Sequence, residues 1–286
     1  MLWISDEWKD YEVLDASEGE RLERWGKYIL VRPDPQVIWN TPRTAQEWKR
    51  FDARYIRSST GGGRWSEHTL PERWQIRYRD YLTFNVKPMN FKHTGVFPEQ
   101  AANWDFIREK VASANRPVRV LNLFAYTGAA SLAAKAAGAD VTHLDSVRQV
   151  VTWARGNMEA SGLDGIRWIV EDAMKFARRE QRRGNVYDGI IMDPPAYGHG
   201  PDGEKWKLDE CLFDMMESVG AILSPVSSFL VLNLYSNGFS PLLGETVLRQ
   251  AFGLGDAGYE MQSGELALKD KFGKVLPLSI VVRLKR

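Results

Sequence analysis

The sequence predicts an α/β protein. A mostly parallel sheet has helices between its strands, an antiparallel edge closes it, and a small β-rich region precedes it. Three observations predict this. The first is the stretch Val118 to Asp145, VRVLNLFAYTGAASLAAKAAGADVTHLD, which reads strand, tight turn, helix, strand. The second is the alternation that continues after it, with apolar runs of strand length separated by helical segments. The third is a composition shift, since eight of the 11 tryptophans lie before Val118.

That shift divides the chain into residues 1–90, a β-rich region and candidate substrate-binding unit, and residues 91–286, the α/β domain. A 44% hydrophobic content over 286 residues suits a sizeable core. The net charge of +1 gives no global basic field, so a nucleic-acid partner would depend on a local patch. The single cysteine, Cys211, excludes an intramolecular disulfide and any CxxC metal site, and no metal is expected. Met1 to Asp10 is polar and Trp-rich rather than a signal sequence, and no apolar run approaches the roughly 20 residues of a membrane span. The cytoplasm is the default location.

In the N-terminal region, Tyr11 to Leu14, Tyr28 to Arg32 and Val37 to Trp39 are short strand candidates, and Arg43 to Arg50 suits a helical turn. Ser58 to Gly63 reads as a flexible loop. Trp74 to Arg79 and Tyr81 to Val86 alternate with the period of strands. Arginines interleave with aromatics here, in Arg64-Trp65, Arg73-Trp74 and Arg77-Tyr78-Arg79. Either this is a base-stacking, phosphate-binding surface, or it is ordinary strands with aromatic core faces and arginine outer faces. The interspersed acids Glu67, Glu72 and Asp80 favour the second.

Pro98 and Glu99 open a helix running to about Ala112, with Trp104, Ile107 and Val111 on one stripe. His93, just before it, reads either as a residue that acts on substrate or as a hydrogen-bonding loop residue, and the lack of a nearby metal-ligand partner favours the second. Gly138 is placed to cap the Ala129 to Ala137 helix. Further helices are expected over Val147 to Ser161, Ala173 to Arg183, Leu208 to Leu223 and Leu242 to Phe252. Strands are expected over Ile166 to Val170, Val186 to Met192 and Phe229 to Tyr235. Glu260 to Leu268 and Val275 to Leu284 form the closing antiparallel pair.

Four strand ends carry informative residues: the turn Phe124-Ala125-Tyr126-Thr127-Gly128, Asp145-Ser146, Asp172-Ala173, and Asp193-Pro194-Pro195-Ala196-Tyr197-Gly198. Ends of parallel strands share one sheet edge, where open α/β sheets bind ligands. Any single aspartate after a strand is as readily a helix N-cap, but three in succession beside a glycine turn exceed what caps explain. A dinucleotide site needs G-x-G-x-x-G and a P-loop needs GK[ST], and neither occurs. A ligand with a ribose and a base but no phosphate remains, and S-adenosylmethionine fits. Asp145 would accept from the ribose hydroxyls, Asp172 would face the adenine amino group, and Gly128 would let the backbone approach the ligand.

These residues resemble those of class I S-adenosylmethionine-dependent methyltransferases, and more narrowly the branch holding the bacterial large-subunit ribosomal RNA cytosine-5 methyltransferases. The resemblance is carried by NLFAYTGAAS (Asn122 to Ser131), Asp145, WARGN (Trp153 to Asn157), EDA (Glu171 to Ala173) and DPPAYG (Asp193 to Gly198). It covers roughly residues 90–286. It implies a Rossmann-like seven-stranded sheet, and a lead-in KHTGVFPEQAANW that lies over the cofactor through Phe97 and Gln100. The implied cofactor residues are Phe97, Gln100, Phe124 to Gly128, Asp145, Ser146, Asp172, Ala173 and Asp193. The implied catalytic residues are Asp193, Pro194, Pro195 and Tyr197, with RNA as the expected partner.

The branch's catalytic cysteine, expected after the fourth or fifth strand, is missing. Those ends read Asp193-Pro194-Pro195-Ala196-Tyr197 and Asn233-Leu234-Tyr235-Ser236, and Cys211 reads as a packed helix residue. The Asp-Pro-Pro loop resembles one that receives a planar, nucleobase-like acceptor, with His199 and Tyr235 as polar neighbours, and it leaves nitrogen and carbon methylation both open. The expected function is methyl transfer to a nucleobase in ribosomal RNA. The alternatives are N- or O-methylation of a small molecule or protein side chain, and an inactive RNA-binding assembly factor.

Overall fold

The computed structural model describes residues 1–286 except 59–61, 90, 236–237 and 254–257. In chain order, the N-terminal strands are β1 (Leu2–Ile4), β2 (Tyr11–Ser17), β3 (Glu20–Trp25), β4 (Tyr28–Pro33), β5 (Ala53–Arg57), β6 (Gly63–Trp65), β7 (Trp74–Tyr78) and β8 (Leu82–Val86). Then follow α1 (Ala101–Ala112), β9 (Arg119–Leu123), α2 (Ala129–Ala136), β10 (Asp140–Asp145), α3 (Arg148–Ala160), β11 (Arg167–Val170), α4 (Ala173–Arg182) and β12 (Gly189–Met192). The chain ends with β13 (Tyr197–His199), β14 (Lys205–Lys207), α5 (Leu208–Gly220), β15 (Phe229–Leu234), α6 (Pro241–Phe252), β16 (Glu260–Lys269) and β17 (Val275–Lys285).

Contacts divide the chain into two units. One comprises Met1–Trp3, Ala102–Leu266 and Ser279–Arg286; the other comprises Ile4–Ala101 and Ala267–Leu278. The division is therefore not a single cut at residue 90, which itself lies outside the described residues. The β16–β17 tip joins the N-terminal unit because Lys274 Nζ donates to Asp15 Oδ1 at 2.7 Å and Asp270 bridges to Val13.

Within the N-terminal unit, β2 to β6 form a five-stranded sheet and β7–β8 a separate hairpin. β3 (ERLERW) gives no apolar alternation in sequence because its buried positions include charged residues. Glu23 is fully buried and accepts from Tyr11 Oη at 2.7 Å and Arg32 Nη2 at 2.8 Å. Burial raises its carboxyl pKa, but Arg32 and Arg21 outweigh burial and hold it at about 2. Val37 to Trp39, expected as a strand, forms none. Its carbonyls instead accept the Glu18 and Gly19 N–H groups of the β2–β3 turn. The helical turn expected near Arg43 is a short 3-10 turn over Gln46–Lys49. The expected Ser58 to Gly63 loop falls partly on undescribed residues; Gly63 opens β6.

The Arg-aromatic stretch resolves into strands with inward aromatics. Trp65 Nε1 donates to the Met89 carbonyl, and Trp74 Nε1 to the Trp25 carbonyl. Tyr78 is buried, with Trp8 edge-on at 5.0 Å. Arg64 and Arg73 are exposed, and Arg77 pairs with Asp10. The rings are thus committed to packing, and only the guanidinium groups face outward.

The other unit carries the main sheet, in the order β1-β16-β17-β15-β12-β9-β10-β11. The expected seven strands are present, and β1 adds an eighth at the edge. From β15 to β11 all neighbours are parallel, and β17 runs antiparallel to β15. From β9 the chain steps through β10 and β11 to one side, then returns with β12 and β15 to the other. The switch point lies between β9 and β12, the place where open α/β sheets hold their ligands. Leu121, Leu123, Phe176, Ile190, Met192, Leu212, Met216, Leu230 and Leu232 form one core cluster on the sheet. The expected long helix from Pro98 begins as a 3-10 turn, Pro98–Gln100, before α1, whose Trp104, Ile107 and Val111 are buried as their spacing predicts.

Candidate functional site

Strand register brings the four informative ends to one edge. Met192 pairs with Leu123, Leu123 with Leu144, and Leu144 with Ile169. The next residue along each strand is Asp193, Phe124, Asp145 and Val170. Leu232 pairs with Met192, so Asn233 falls beside Asp193.

The β9–α2 turn is strained. Phe124 has φ 55°, Tyr126 φ 48° and Gly128 φ 93°. Two non-glycine residues in the left-handed region cost about 1–3 kcal/mol each, and such strain clusters at ligand sites. Side chains from the neighbouring elements hold the turn. Asp145 Oδ2 accepts from the Tyr126 N–H at 2.9 Å, and Oδ1 from the Val147 N–H at 2.9 Å. Buried Asn157 on α3 donates to the Thr127 carbonyl at 2.9 Å. Behind the turn lies a buried chain in which Asn122 Nδ2 donates to Ser131 Oγ at 2.9 Å and Ser131 Oγ meets His143 Nδ1 at 3.0 Å. His143 Nε2 is buried with no partner among the described residues, and burial lowers the ring's pKa to about 3, so the ring is neutral.

The missing side chain of Gly128 has a packing role. A Cβ there would lie 3.0 Å from Ala154 Cβ and 3.1 Å from Leu132 Cδ1. Its absence lets α2 start close against α3, and the positive φ provides the turn. Asp172 meets half of its bland reading, since it is the N-cap of α4 and Oδ1 accepts from the Lys175 N–H at 2.8 Å. Ala173, the first residue of α4, is buried. Ser146 follows Asp145, whose carboxyl pKa burial raises and the Val147, Tyr126 and Ser146 N–H groups lower, with a net rise. A partly buried carboxylate with acceptor capacity beyond its backbone donors suits a hydroxyl-bearing ligand, so the residues present fit a nucleoside.

On the β12 side, Asn233 Nδ2 donates to Asp193 Oδ1 at 2.8 Å, and Ser279 Oγ donates to Asn233 Oδ1 at 2.9 Å. Asp193 is thus oriented by a chain of two side chains from β15 and β17. Pro194 is buried; Pro195, Ala196 and Tyr197 are exposed. The Pro195 carbonyl accepts from Trp206 Nε1 at 2.6 Å. Tyr197 is 58% exposed, and its hydroxyl meets His199 Nε2 at 3.1 Å. Ser236, at the end of the motif after β15, lies outside the described residues.

Phe97 and Gln100 belong to the N-terminal unit. Gln100 ends the 3-10 turn Pro98–Gln100, Phe97 caps it, and the His93 ring lies 5.1 Å from Phe97. Burial and the cations Arg32, Lys92 and Arg21 lower the His93 pKa to about 4. Cys211 sits on α5, partly buried against the main core, as its apolar neighbours predicted. No cluster of three metal-ligating side chains occurs among the described residues, and none of their helices is long and apolar enough to cross a membrane.

Sequence reasoning missed Asn157, Ser131, His143, Trp206 and the pairing role of Asn233. A signal existed for Asn122 and Asn233, each a polar residue among apolar neighbours near the carboxyl end of its strand.

The family model for S-adenosylmethionine-dependent methyltransferases matches residues 29–246. A crystal structure of a SAM-dependent methyltransferase from Agrobacterium tumefaciens is 38% identical, with a TM-score of 0.94 over 100% of this chain and 93% of that one. The candidate methyltransferase SMU.776, solved with SAH, shares the fold at 18% identity, with a TM-score of 0.75 over 98% of this chain and 76% of that one. Among curated proteins, the Ribosomal RNA large subunit methyltransferase K/L of Shewanella frigidimarina is 28% identical over 209 residues, 71% of this chain and 26% of that protein. The chain spans about a quarter of the length of that relative.

Proposed function

Given that the chain belongs to the S-adenosylmethionine-dependent methyltransferase family, we propose that it methylates an exocyclic amino nitrogen of a base in ribosomal RNA. The observation that carries this reading is Asp193-Pro194 at the switch point, one strand from the turn Phe124 to Gly128. RNA as the acceptor is supported by curated relatives that are named ribosomal RNA large subunit methyltransferases. Only part of each is spanned, so the acceptor is an inference from them.

The cofactor supplies an electrophilic methyl group on a sulfonium. The chain supplies binding and orientation. Asp145 accepts from ribose hydroxyls while holding the Tyr126 turn, and Asp172 accepts from the adenine amine with the capacity its cap leaves. Ser146 and Ala173, at the ends of the same strands, complete the cofactor contacts within this unit. Asp193, aligned by Asn233, accepts one hydrogen of the acceptor amine. The Pro194 carbonyl accepts the other, because that of Pro195 already takes the Trp206 indole. Two acceptors on one amine aim its lone pair at the methyl group and leave Asp193 to take the released proton. Tyr197 offers an exposed ring for the planar base, which must leave its stack to reach this edge. The exposed Arg64 and Arg73 of the N-terminal unit contact phosphate rather than stack on bases.

Methylation at cytosine C5 would call for a thiolate adduct at C6, and Cys211 on α5 is packed against the core. Nucleoside mass spectrometry of ribosomal RNA from a strain lacking the gene tests the reading. Loss of one N-methylated nucleoside, restored by complementation, is expected. An unchanged profile overturns it in favour of a small-molecule or protein acceptor, or of an inactive assembly factor. A missing C-methylated base overturns the nitrogen assignment alone.

A further inference from the structure

We propose that Trp206 is a positioning residue that locks the acceptor loop to the cofactor turn, so that one side chain sets the relation between methyl donor and methyl acceptor. The proposal rests on reading Asp193 to Tyr197 as the acceptor loop.

The hairpin β13–β14 follows the Asp-Pro-Pro sequence directly, and Trp206 sits opposite Gly198 in its register. The indole is 5% exposed and has two engagements. Its N–H donates to the Pro195 carbonyl at 2.6 Å, and its ring meets Phe124 at 4.8 Å with planes 53° apart. Both partners need external support. Pro194 and Pro195 have no N–H, so the loop cannot close its own hydrogen bonds. Phe124 is held at φ 55°, a conformation that persists only when its surroundings impose it. A buried indole N–H must in turn find an acceptor, so the bond to Pro195 is enforced from both sides.

The hairpin is itself anchored. The Leu208 N–H donates to the Ala196 carbonyl at 3.0 Å. At the tip, Glu204 accepts from the Asp202 N–H at 3.0 Å and from Lys175 Nζ at 3.1 Å. Lys175 is also the residue whose N–H Asp172 caps. The Gly200 N–H donates to the Glu204 carbonyl at 2.8 Å, which closes this turn. Trp206 therefore sits on a tethered element, which suits it to hold two loops in fixed relation.

The two engagements separate by substitution. Trp206→Phe keeps a ring against Phe124 and loses the donor to Pro195, while Trp206→Leu loses both ring and donor. Thermal melts establish that each variant folds. In calorimetry with S-adenosylhomocysteine, the Phe variant is expected to bind within about twofold of wild type and the Leu variant about tenfold more weakly, roughly one aromatic contact. In methyl transfer to unmodified ribosomal RNA transcripts, the Phe variant is expected to lose about tenfold or more in kcat with an unchanged KM for the methyl donor, as a displaced acceptor loop requires. Wild-type affinity in a folded Leu variant, or wild-type kcat in the Phe variant, overturns the proposal. If the wild type itself fails to methylate ribosomal RNA, the acceptor reading falls, and the calorimetric comparison still decides whether Trp206 supports the cofactor turn.

Discussion

The main-chain N–H of Tyr126 donates to Asp145 Oδ2 at 2.9 Å, so the carboxylate that ends β10 holds the turn that leaves β9. Asp145→Ala removes this bond and the bond to Val147, and with them the ribose acceptor of the proposed function. S-adenosylhomocysteine should bind about 10- to 100-fold more weakly, the loss of roughly 1.5–3 kcal/mol for hydrogen bonds to a charged group. Calorimetry reads this directly, and wild-type affinity would remove Asp145 from the site.

Gly128→Ala strains the same turn by a different route. It forces a Cβ into a φ of 93° and sets it 3.0 Å from Ala154 Cβ. Destabilisation of about 1–3 kcal/mol is expected, visible as a lower Tm and a lower urea midpoint. Cofactor affinity should fall alongside, because α2 can no longer start close to α3.

Asp193→Ala should behave in the opposite way. Methyl transfer falls by roughly 10²–10⁴-fold, the usual contribution of a positioned proton acceptor, while S-adenosylhomocysteine affinity changes little. Asn233→Ala, which frees Asp193 Oδ1 from its donor, should give a smaller loss in kcat with the KM for the methyl donor unchanged. Equal losses in binding and turnover for Asp193→Ala would make it a cofactor ligand instead.

Cys211→Ala should leave kcat unchanged. The thiol is a packing group on α5, and its removal should cost only about 1 kcal/mol of stability. Near-complete loss of turnover in a variant with wild-type melting would restore a thiolate mechanism.

Acid stability should carry the signature of His143. Burial lowers its pKa to about 3 from the ordinary 6.5. As the pH falls below about 6.5, the unfolded chain takes up a proton that the folded chain refuses. Stability then drops by about 1.4 kcal/mol per pH unit until the folded ring protonates near pH 3. His93, lowered to about 4, adds a second such loss in the same window, while Glu23, held at about 2, contributes only below about pH 4.5. His143→Phe should be less stable at pH 8, because the Ser131 hydroxyl keeps its Asn122 donor but loses its partner on the ring, yet lose one proton's worth of slope between pH 6.5 and 5. Urea titrations at three pH values measure it, and an unchanged slope would mean that the ring is protonated in the fold.

The core of the α/β domain was legible because its signals are local. Val118 to Asp145 contains the strand, the glycine turn, the helix cap and the terminal carboxylate in consecutive residues, and each element formed within a residue or two of its expected ends. The N-terminal unit was less legible because its burial does not follow hydrophobicity. β3 buries Arg21 and Glu23, which are tolerable inside because Glu23 pairs with Arg32 on β4 and Arg21 pairs with Asp34 and Glu23.

The sequence alone determined the α/β class, the order of the strands that end in the candidate site residues, and the family to which the chain belongs. Tertiary structure decided how those residues are used. The Cβ position of Gly128 faces Ala154, Asp172 caps a helix, Trp65 and Trp74 spend their N–H groups on backbone carbonyls, and Asn233 aligns Asp193 from the adjacent strand. The physical reason is that a residue's chemistry is written in the chain, whereas its hydrogen-bond partner is fixed by strand register and packing between segments distant in sequence.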